Sequence, residues 1–150
     1  MLTSNPDALP ESLSAALSFQ IRAAHLAIDR DLSRSLASID LSPEAFYVLW
    51  VLDEFPGQIL VGLSRRLGSK APNIHRILRR LEAIDLVQRR ATADGRSPAY
   101  FNTPRGSELR QRAARLFFDH CARIDSYVKQ LAPSQAGPLL KRLGSLPEAS

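Results

Sequence analysis

Arginine is the side chain through which this sequence has the clearest capacity for chemistry with a partner. Seventeen of the twenty basic residues are arginines, and the planar guanidinium group suits phosphate oxygens and guanine edges. Residues 64–112 hold twelve Arg or Lys against four Asp or Glu, a local net charge of +8, whereas the rest of the chain is slightly acidic. Because a charge that serves only solubility would be spread evenly, this concentration favours nucleic acid as the partner.

Residue types that catalyse reactions are few and scattered. The three histidines, His25, His75 and His120, lie far apart, and the sequence has no glycine-rich phosphate loop, nucleophile elbow or metal-ligand spacing. We therefore expect a protein that is not an enzyme, with no catalytic residue, no metal and no cofactor. The single cysteine, Cys121, cannot form an intramolecular disulfide, which favours a reducing cytoplasm. We expect its thiol to be buried and inert.

Length and composition are those of one globular domain. The chain has 150 residues, of which 45% are apolar and 23% charged, enough for one substantial core. No stretch approaches about 18 uninterrupted apolar residues, so we expect no membrane span. Residues 1–10 lack the basic and apolar regions of a signal peptide.

The arginines must be positioned by helices, because apolar residues recur at intervals of three and four along most of the chain. This pattern predicts a long helix over about residues 10–39 and a second one from Thr103-Pro104 to about Leu131. Between them, Ser42-Pro43-Glu44 favours the start of a shorter helix, since it offers a serine cap, a proline and an acid in the first turn. A last short apolar segment covers residues 139–146.

Residues 59–84 are typical of two helices joined by a tight turn. Leucines at 60, 63 and 67 predict the first helix, and Gly68 suits the left-handed residue that ends it. The second helix follows over 71–84, which gives a helix-turn-helix. Its inner face is predicted to hold Ile74, Ile77, Leu78 and Leu81. The segments Val87–Ala91 and Ala99–Asn102, joined through Asp94-Gly95, predict a two-stranded hairpin, or wing.

The outer face of the second helix is the predicted DNA-reading surface. Such a helix lies in the major groove with its N-terminal half nearest the bases, so we expect Asn73, His75 and Arg76 to contact base edges. Arg96 at the tip of the wing would enter the minor groove. The full set of predicted DNA contacts is Lys70, Asn73, His75, Arg76, Arg79, Arg80, Arg89, Arg90 and Arg96. The alternative is a solvated face, but such faces mix charges, and no acidic residue occurs from 55 to 81.

In this order, the elements resemble the MarR family of bacterial winged-helix transcription factors. The matching segments are Leu41–Glu44 leading to Trp50, Leu63–Gly68, Arg76–Glu82, Leu86-Val87, the wing pair Asp94-x-Arg96, and Thr103-x-x-Gly106. The resemblance implies that Asp94 orients a wing arginine; the alternative is that Asp94 is only a turn former. The return strand departs from the family in ending with Asn102 rather than leucine.

The expected fold is mainly α (α+β), a winged helix-turn-helix with long terminal dimerisation helices. We expect one domain over 1–150, with dimerisation helices over about 10–39 and 104–146 and the DNA-binding region over about 42–102. Because so small a winged helix cannot bury the apolar faces of both terminal helices, the terminal helices of two copies would interleave. Two recognition helices would then meet a pseudo-palindromic operator one turn apart. The interface candidates are Leu13, Leu17, Leu131, Leu139, Leu140 and Leu143.

The resemblance implies a repressor in the bacterial cytoplasm, associated with the nucleoid, that a small molecule releases from DNA. An aromatic or acyl effector with an anionic end would suit the predicted pocket. Its candidate residues are Arg22, His25, Phe46, Tyr47, Trp50, Phe117 and His120. The alternatives are that these are ordinary core residues, that the chain is a nucleic-acid-binding or adaptor protein without a ligand, or that it senses metal or redox state. RNA is disfavoured, since residues 64–90 contain no aromatic side chain for base stacking.

Overall fold

The computed structural model describes residues 9–131, and within this range the side chains of residues 9–128. The fold is mostly helical with one small sheet. The helices are α1 (Glu11–Ser14), α2 (Leu17–Leu36), α3 (Pro43–Glu54), α4 (Leu60–Leu67), α5 (Ala71–Ala83) and α6 (Pro104–Leu131), and a short 3₁₀ turn, Ala37–Ile39, follows α2. The strands are β1 (Gln58–Ile59), β2 (Val87–Arg90) and β3 (Ala99–Asn102).

The helix-turn-helix lies where the sequence predicts it. Gly68 ends α4 with a φ of +60°, the left-handed conformation that a glycine adopts without steric cost. The predicted inner face of α5 is buried throughout, with its four aliphatic side chains at most 7% exposed: Ile74, Ile77, Leu78 and Leu81. The period of 3.6 residues therefore fixes which face of α5 is left for a partner.

The start of α3 also follows the prediction. The Ser42 hydroxyl accepts a hydrogen bond from the Ala45 backbone N–H at 3.2 Å, and Pro43 occupies the first turn, where a missing N–H costs nothing. The buried side of this helix forms the centre of the core, with Phe46, Val48 and Leu49 fully inaccessible. From this core α3 contacts α5, α6 and β3.

The sheet contains one strand more than the predicted hairpin. The three strands are antiparallel in the order β1-β3-β2, with Arg90 opposite Ala99 in the wing and Gln58 opposite Tyr100. Residue 59 was predicted to open the first helix of the motif, and the structure instead pairs it with β3. Two residues are too few to show an alternating pattern, so only the tertiary pairing with β3 defines this strand.

The long N-terminal helix was predicted as continuous over 10–39 and is divided. α1 ends at Ser14, Ala16 is extended, and α2 begins at Leu17. The Gln20 side chain donates to the Ser14 carbonyl oxygen at 3.2 Å and so satisfies one group that the break leaves open. Since Leu13 and Leu17 keep helical spacing across the break, the apolar pattern carries no sign of it.

Much of the apolar surface of the terminal helices is uncovered. Only Leu32 and Leu36 of α2 are buried, whereas Leu17 is 56% exposed and Phe118 on α6 is 59% exposed. Leu13 is exposed as well. Of the other interface candidates, the Leu131 side chain and residues Leu139, Leu140 and Leu143 lie outside the described part, as does the predicted end of the dimerisation helix near 146. Among residues 9–131, no helix is both long and apolar enough to cross a membrane.

The start of α6 is hydrogen-bonded to the turn that follows α5. The Thr103 hydroxyl accepts a hydrogen bond from the Gly106 N–H at 3.0 Å, as predicted for a cap, and donates to the Asp85 carbonyl oxygen at 2.8 Å. Gly106 lies so close to Leu86 that a Cβ added to the glycine would be 2.0 Å from the Leu86 carbonyl oxygen. The wing and the long helix α6 therefore leave the core from one fixed junction.

Candidate nucleic-acid interface

The outer face of α5 carries exposed basic side chains. Arg76, Arg79 and Arg80 are exposed, as is His75, which directly precedes Arg76. Lys70 is exposed at the N-cap position, where its backbone is extended and its side chain makes no capping bond. No carboxylate forms an ion pair with these side chains within the described part of the chain. The face is thus available to an anionic partner.

Asn73 lies on the same helix but is half-buried and already hydrogen-bonded. Its amide nitrogen donates to the Ser69 hydroxyl at 3.0 Å. Its amide oxygen accepts a hydrogen bond from Nη2 of Arg76 at 2.8 Å. The two side chains that the sequence predicts as separate base readers therefore contact each other.

The wing arginines differ in how firmly they are held. Arg89 forms an ion pair with Glu82, the acidic residue at the end of α5, with an Nε to Oε1 distance of 3.3 Å. The guanidinium of Arg90 stacks on the Phe101 ring at 4.7 Å from its centroid, a contact that restricts its direction. Arg96 is exposed at the tip, beside Gly95 with its φ of +64°.

Asp94 organises the wing turn itself. Its carboxylate accepts a hydrogen bond from the Thr92 hydroxyl at 2.7 Å and another from the Arg96 backbone N–H at 3.3 Å. These hydrogen bonds lower the pKa of the Asp94 carboxyl from its usual range. Of the two roles open for this residue, the described contacts are those of a turn former, since it bonds the backbone of Arg96 and not its guanidinium.

A basic pair on α4 is a further part of this surface that the sequence does not predict. Arg65 and Arg66 are exposed in the last turn of this helix. The guanidinium of Arg66 lies 4.0 Å from the centroid of the Phe55 ring and donates to the Gln58 side chain at 3.3 Å. The signal was present in the charge pattern, but the spacing of charges alone does not show which arginines a neighbouring ring holds in place.

A cluster of polar side chains lies where the wing joins α6, and no sequence pattern predicts it. We define the Asp53 cluster as Asp53, Asn102, Ser107 and Arg110. The Asp53 carboxylate accepts hydrogen bonds from the other three side chains. Burial alone would raise the pKa of Asp53, but the hydrogen bonds from Ser107, Asn102 and Arg110 outweigh it and lower that pKa. Asn102, which stands where the family has leucine, thus makes a specific hydrogen bond to Asp53.

The aromatic residues proposed for an effector pocket do come together. Phe46 contacts Tyr47, Trp50 and Phe117 at ring-centroid distances of 5.2–5.6 Å, and Phe118 joins at 5.8 Å from Trp50. We call these five rings the aromatic cluster. Phe46 is fully buried, so its ring belongs to the core. A cavity of about 160 Å³ lies elsewhere, between the start of α3 and Arg76 and Arg80 of α5.

Of the polar candidates for the same pocket, His120 lies against the aromatic cluster, with its ring centroid 6.2 Å from that of Phe117. His120 is only 3% exposed and bonds the Asp31 carboxylate at 2.7 Å. Arg123 binds the same carboxylate at 2.9 Å, and both hydrogen bonds lower the pKa of Asp31. Arg22 and His25 are exposed on α2, and among the described side chains neither forms a hydrogen bond or ring contact with the aromatic cluster. His120 therefore joins α2 to α6 in this structure.

Cys121 is half-buried on α6. Burial, followed by the neighbouring charge of Asp125, raises the pKa of its thiol. A thiol with a raised pKa is a poor nucleophile at neutral pH. Within the described residues, no group of three His, Cys, Asp or Glu side chains lies close enough together to hold a metal ion.

A three-stranded sheet with a helix-turn-helix and a basic wing defines the winged-helix class, and comparison with known proteins gives the family. Residues 39–97 match the model of the MarR family. Residues 39–97, which contain the helix-turn-helix, are therefore similar to the MarR family, and the solved structures that share the fold of the chain include MarR-family proteins. No curated protein matches the sequence.

Three solved structures illustrate the likeness. The transcriptional repressor CouR bound to a 23-mer DNA duplex is 27% identical, with a TM-score of 0.76 over 92% of this chain and 97% of that one. CouR bound to p-coumaroyl-CoA is 26% identical, with a TM-score of 0.78 over 91% and 95%. The MepR–DNA complex of S. aureus is 22% identical, with a TM-score of 0.75 over 87% and 98%, which shows the shared fold.

Proposed function

We propose that this chain is a transcriptional regulator that binds duplex DNA in a sequence-specific manner. The observation that carries the proposal is the division of α5 into two faces. One face is buried in the core, and the other presents Arg76, Arg79 and Arg80 to solvent without an acidic partner among the described side chains. In the major groove such a face binds phosphates and base edges. The likeness to CouR, which is bound to a DNA duplex, supports this assignment.

The regulator acts as a homodimer in this proposal. The exposed apolar side chains of the terminal helices include Leu17 and Ile28 on α2 and Phe118 on α6. Since α2 and α6 are in contact, exposed apolar side chains on both helices are typical of an interface. A two-fold axis through these helices would place two copies of α5 on the half-sites of a pseudo-palindromic operator.

The regulator is a repressor that an effector releases from DNA in this proposal. The likeness to CouR bound to p-coumaroyl-CoA supports a ligand with aromatic and acyl parts. The accessible side of the aromatic cluster, at Trp50 and Phe118, would contact the aromatic or acyl part of such a ligand. Arg22 and His25 are the candidates to bind its anionic end. If the ligand lowers the affinity of the protein for DNA by some factor, DNA must lower the affinity of the protein for the ligand by the same factor.

Selection of random-sequence duplexes by the full chain tests the DNA-binding function. We expect a recurring sequence with two related half-sites about one helical turn apart. Enrichment of no sequence would contradict the proposal, and enrichment of a sequence without a repeated half-site would contradict its dimeric form.

Mass spectrometry of the denatured protein tests the effector, because a bound aromatic or acyl compound would be released. The fluorescence of Trp50 should respond when that compound is added back.

A further inference from the structure

We infer that Asn73 positions Arg76 for guanine recognition and does not itself read a base. The inference rests on the proposed DNA-binding function and concerns the division of labour on α5. The sequence predicts two separate base contacts, one from the Asn73 amide to adenine and one from the Arg76 guanidinium to guanine. In the arrangement inferred here, α5 makes a single contact, through an arginine that is oriented before DNA binds.

The direction of the Asn73 amide follows from the chemistry of its neighbour. A guanidinium only donates hydrogen bonds, so the atom facing Nη2 of Arg76 at 2.8 Å must be the amide oxygen. The amide nitrogen then faces the Ser69 hydroxyl at 3.0 Å, which accepts its hydrogen bond. Recognition of adenine by an asparagine uses the oxygen and the nitrogen of one amide together. In Asn73 both atoms are already engaged within the protein.

Ser69, whose backbone is held by the turn, anchors this chain of hydrogen bonds. The backbone N–H groups of Gly68 and Ser69 both donate to the Ser64 carbonyl oxygen, and the left-handed φ of Gly68 makes that turn. Ser69 is therefore held by the end of α4, and Asn73 by Ser69. The turn of the helix-turn-helix thus determines where the Arg76 side chain points.

Orientation matters because a free arginine on a helix surface samples many rotamers. Fixing it on binding costs conformational entropy, and a side chain that is already oriented loses less. The bond to Asn73 uses one of the five N–H groups of the guanidinium, so a pair remains for O6 and N7 of guanine. Arg79 and Arg80 are exposed and form no side-chain hydrogen bond among the described residues, which suits contacts with phosphates, where direction matters less.

Base preference, measured pair by pair, separates positioning from direct reading. The probe is the duplex that the wild-type chain selects from random DNA, with each base pair replaced in turn. The dissociation constant of every duplex is measured for the full chain and for Arg76→Ala, Asn73→Ala, Asn73→Asp and the double variant. Arg115→Ala is the control, because Arg115 is an exposed arginine on α6 that lies outside the predicted DNA contacts.

We expect Arg76→Ala to reduce preference at one G·C pair by about tenfold. Asn73→Ala should reduce preference at that same pair by about two- to tenfold, with little further loss in the double variant. Asn73→Asp keeps an acceptor for Arg76 and should preserve this preference, even though its charge weakens binding to every duplex. Arg115→Ala should leave the preference at this pair intact.

A loss of preference at an A·T pair in Asn73→Ala, with the Arg76 pair unaffected, would overturn the inference and show that Asn73 reads adenine. Additive effects of the two alanine substitutions would also overturn it. Circular dichroism checks that the variants fold. If Asn73→Ala does not, Ser69→Ala removes the anchor and must reduce the same preference. A wild-type chain that selects no sequence would instead contradict the proposed function itself.

Discussion

The amide nitrogen of Asn102 lies 2.6 Å from the Asp53 carboxylate, although the two residues are 49 positions apart in the sequence. This bond joins the return strand of the wing to α3. Ser107 and Arg110 bring the first turns of α6 to the same carboxylate. Asp53 therefore holds three elements at the point where the wing meets the long terminal helix.

Replacing Asp53 by alanine should destabilise the fold by about 2 kcal/mol, because the change removes a hydrogen-bonded carboxylate and leaves Arg110 half-buried without its partner. Glu54→Ala is the matched control, since Glu54 is the exposed carboxylate next to Asp53 on α3, and it should cost less than about 0.5 kcal/mol. Urea unfolding measures both values. Equal costs for the two variants would show that the Asp53 cluster does not stabilise the junction.

The same carboxylate predicts how stability depends on pH. The pKa of Asp53 in the folded chain is below 3.8, the value of an unperturbed aspartate. Its contribution is therefore present above about pH 4 and is lost as the pH falls through the folded-state pKa, because the unfolded chain then binds more protons. Asp53→Asn should flatten this loss. Asp31, whose pKa is also lowered, contributes the same trend to both proteins, so the comparison isolates Asp53. Parallel stability curves below pH 4 would contradict the assignment.

Gly106→Ala tests the junction between α6 and the wing. The new Cβ would meet the Leu86 carbonyl oxygen, a backbone atom that cannot turn aside, and we expect a loss of more than about 2 kcal/mol. Gly68→Ala is the control, since it has open space and only the strain of a positive φ, which costs about 1 kcal/mol. Thermal unfolding of both variants gives the order, and a smaller loss for Gly106→Ala would mean that α6 shifts freely.

The sequence predicts those parts of the fold that local patterns encode. The buried face of α5, the cap at Ser42 and the strands of the wing follow from periodicity, helix-start chemistry and turn residues, and all are confirmed. The strand at Gln58 is not predicted because it depends on pairing with a distant strand. The division of the first helix is not predicted because it leaves the apolar pattern unchanged. The Asp53 cluster is not predicted either, because its members are scattered along the chain and only the fold brings them together. Base-reading residues stay predictions, yet the contact between Asn73 and Arg76 arises from a spacing of three residues that a helical wheel already contains.

Leu17→Glu should disrupt the dimer. Val61→Glu is a closely matched control, because both side chains are 56% exposed but Val61 lies on α4, away from the terminal helices. Light scattering should give about 33 kDa, twice the mass of the 16.6 kDa chain, for the wild type and Val61→Glu. Leu17→Glu should shift the mass towards that of the monomer at the same concentration. A dimer that survives Leu17→Glu would exclude α2 from the interface at this residue.

The most direct test of the central claim is a titration of the full chain against its selected duplex and against a scrambled duplex of equal composition at one salt concentration. Our account predicts that two chains bind each selected duplex, at least about a thousandfold more tightly than the scrambled duplex. It also predicts that Arg76→Ala loses most of its affinity on the selected duplex, while its binding to the scrambled one changes little. Equal affinity of the wild-type chain for the two duplexes would contradict it, because the arginines of α5 would then bind only the DNA backbone.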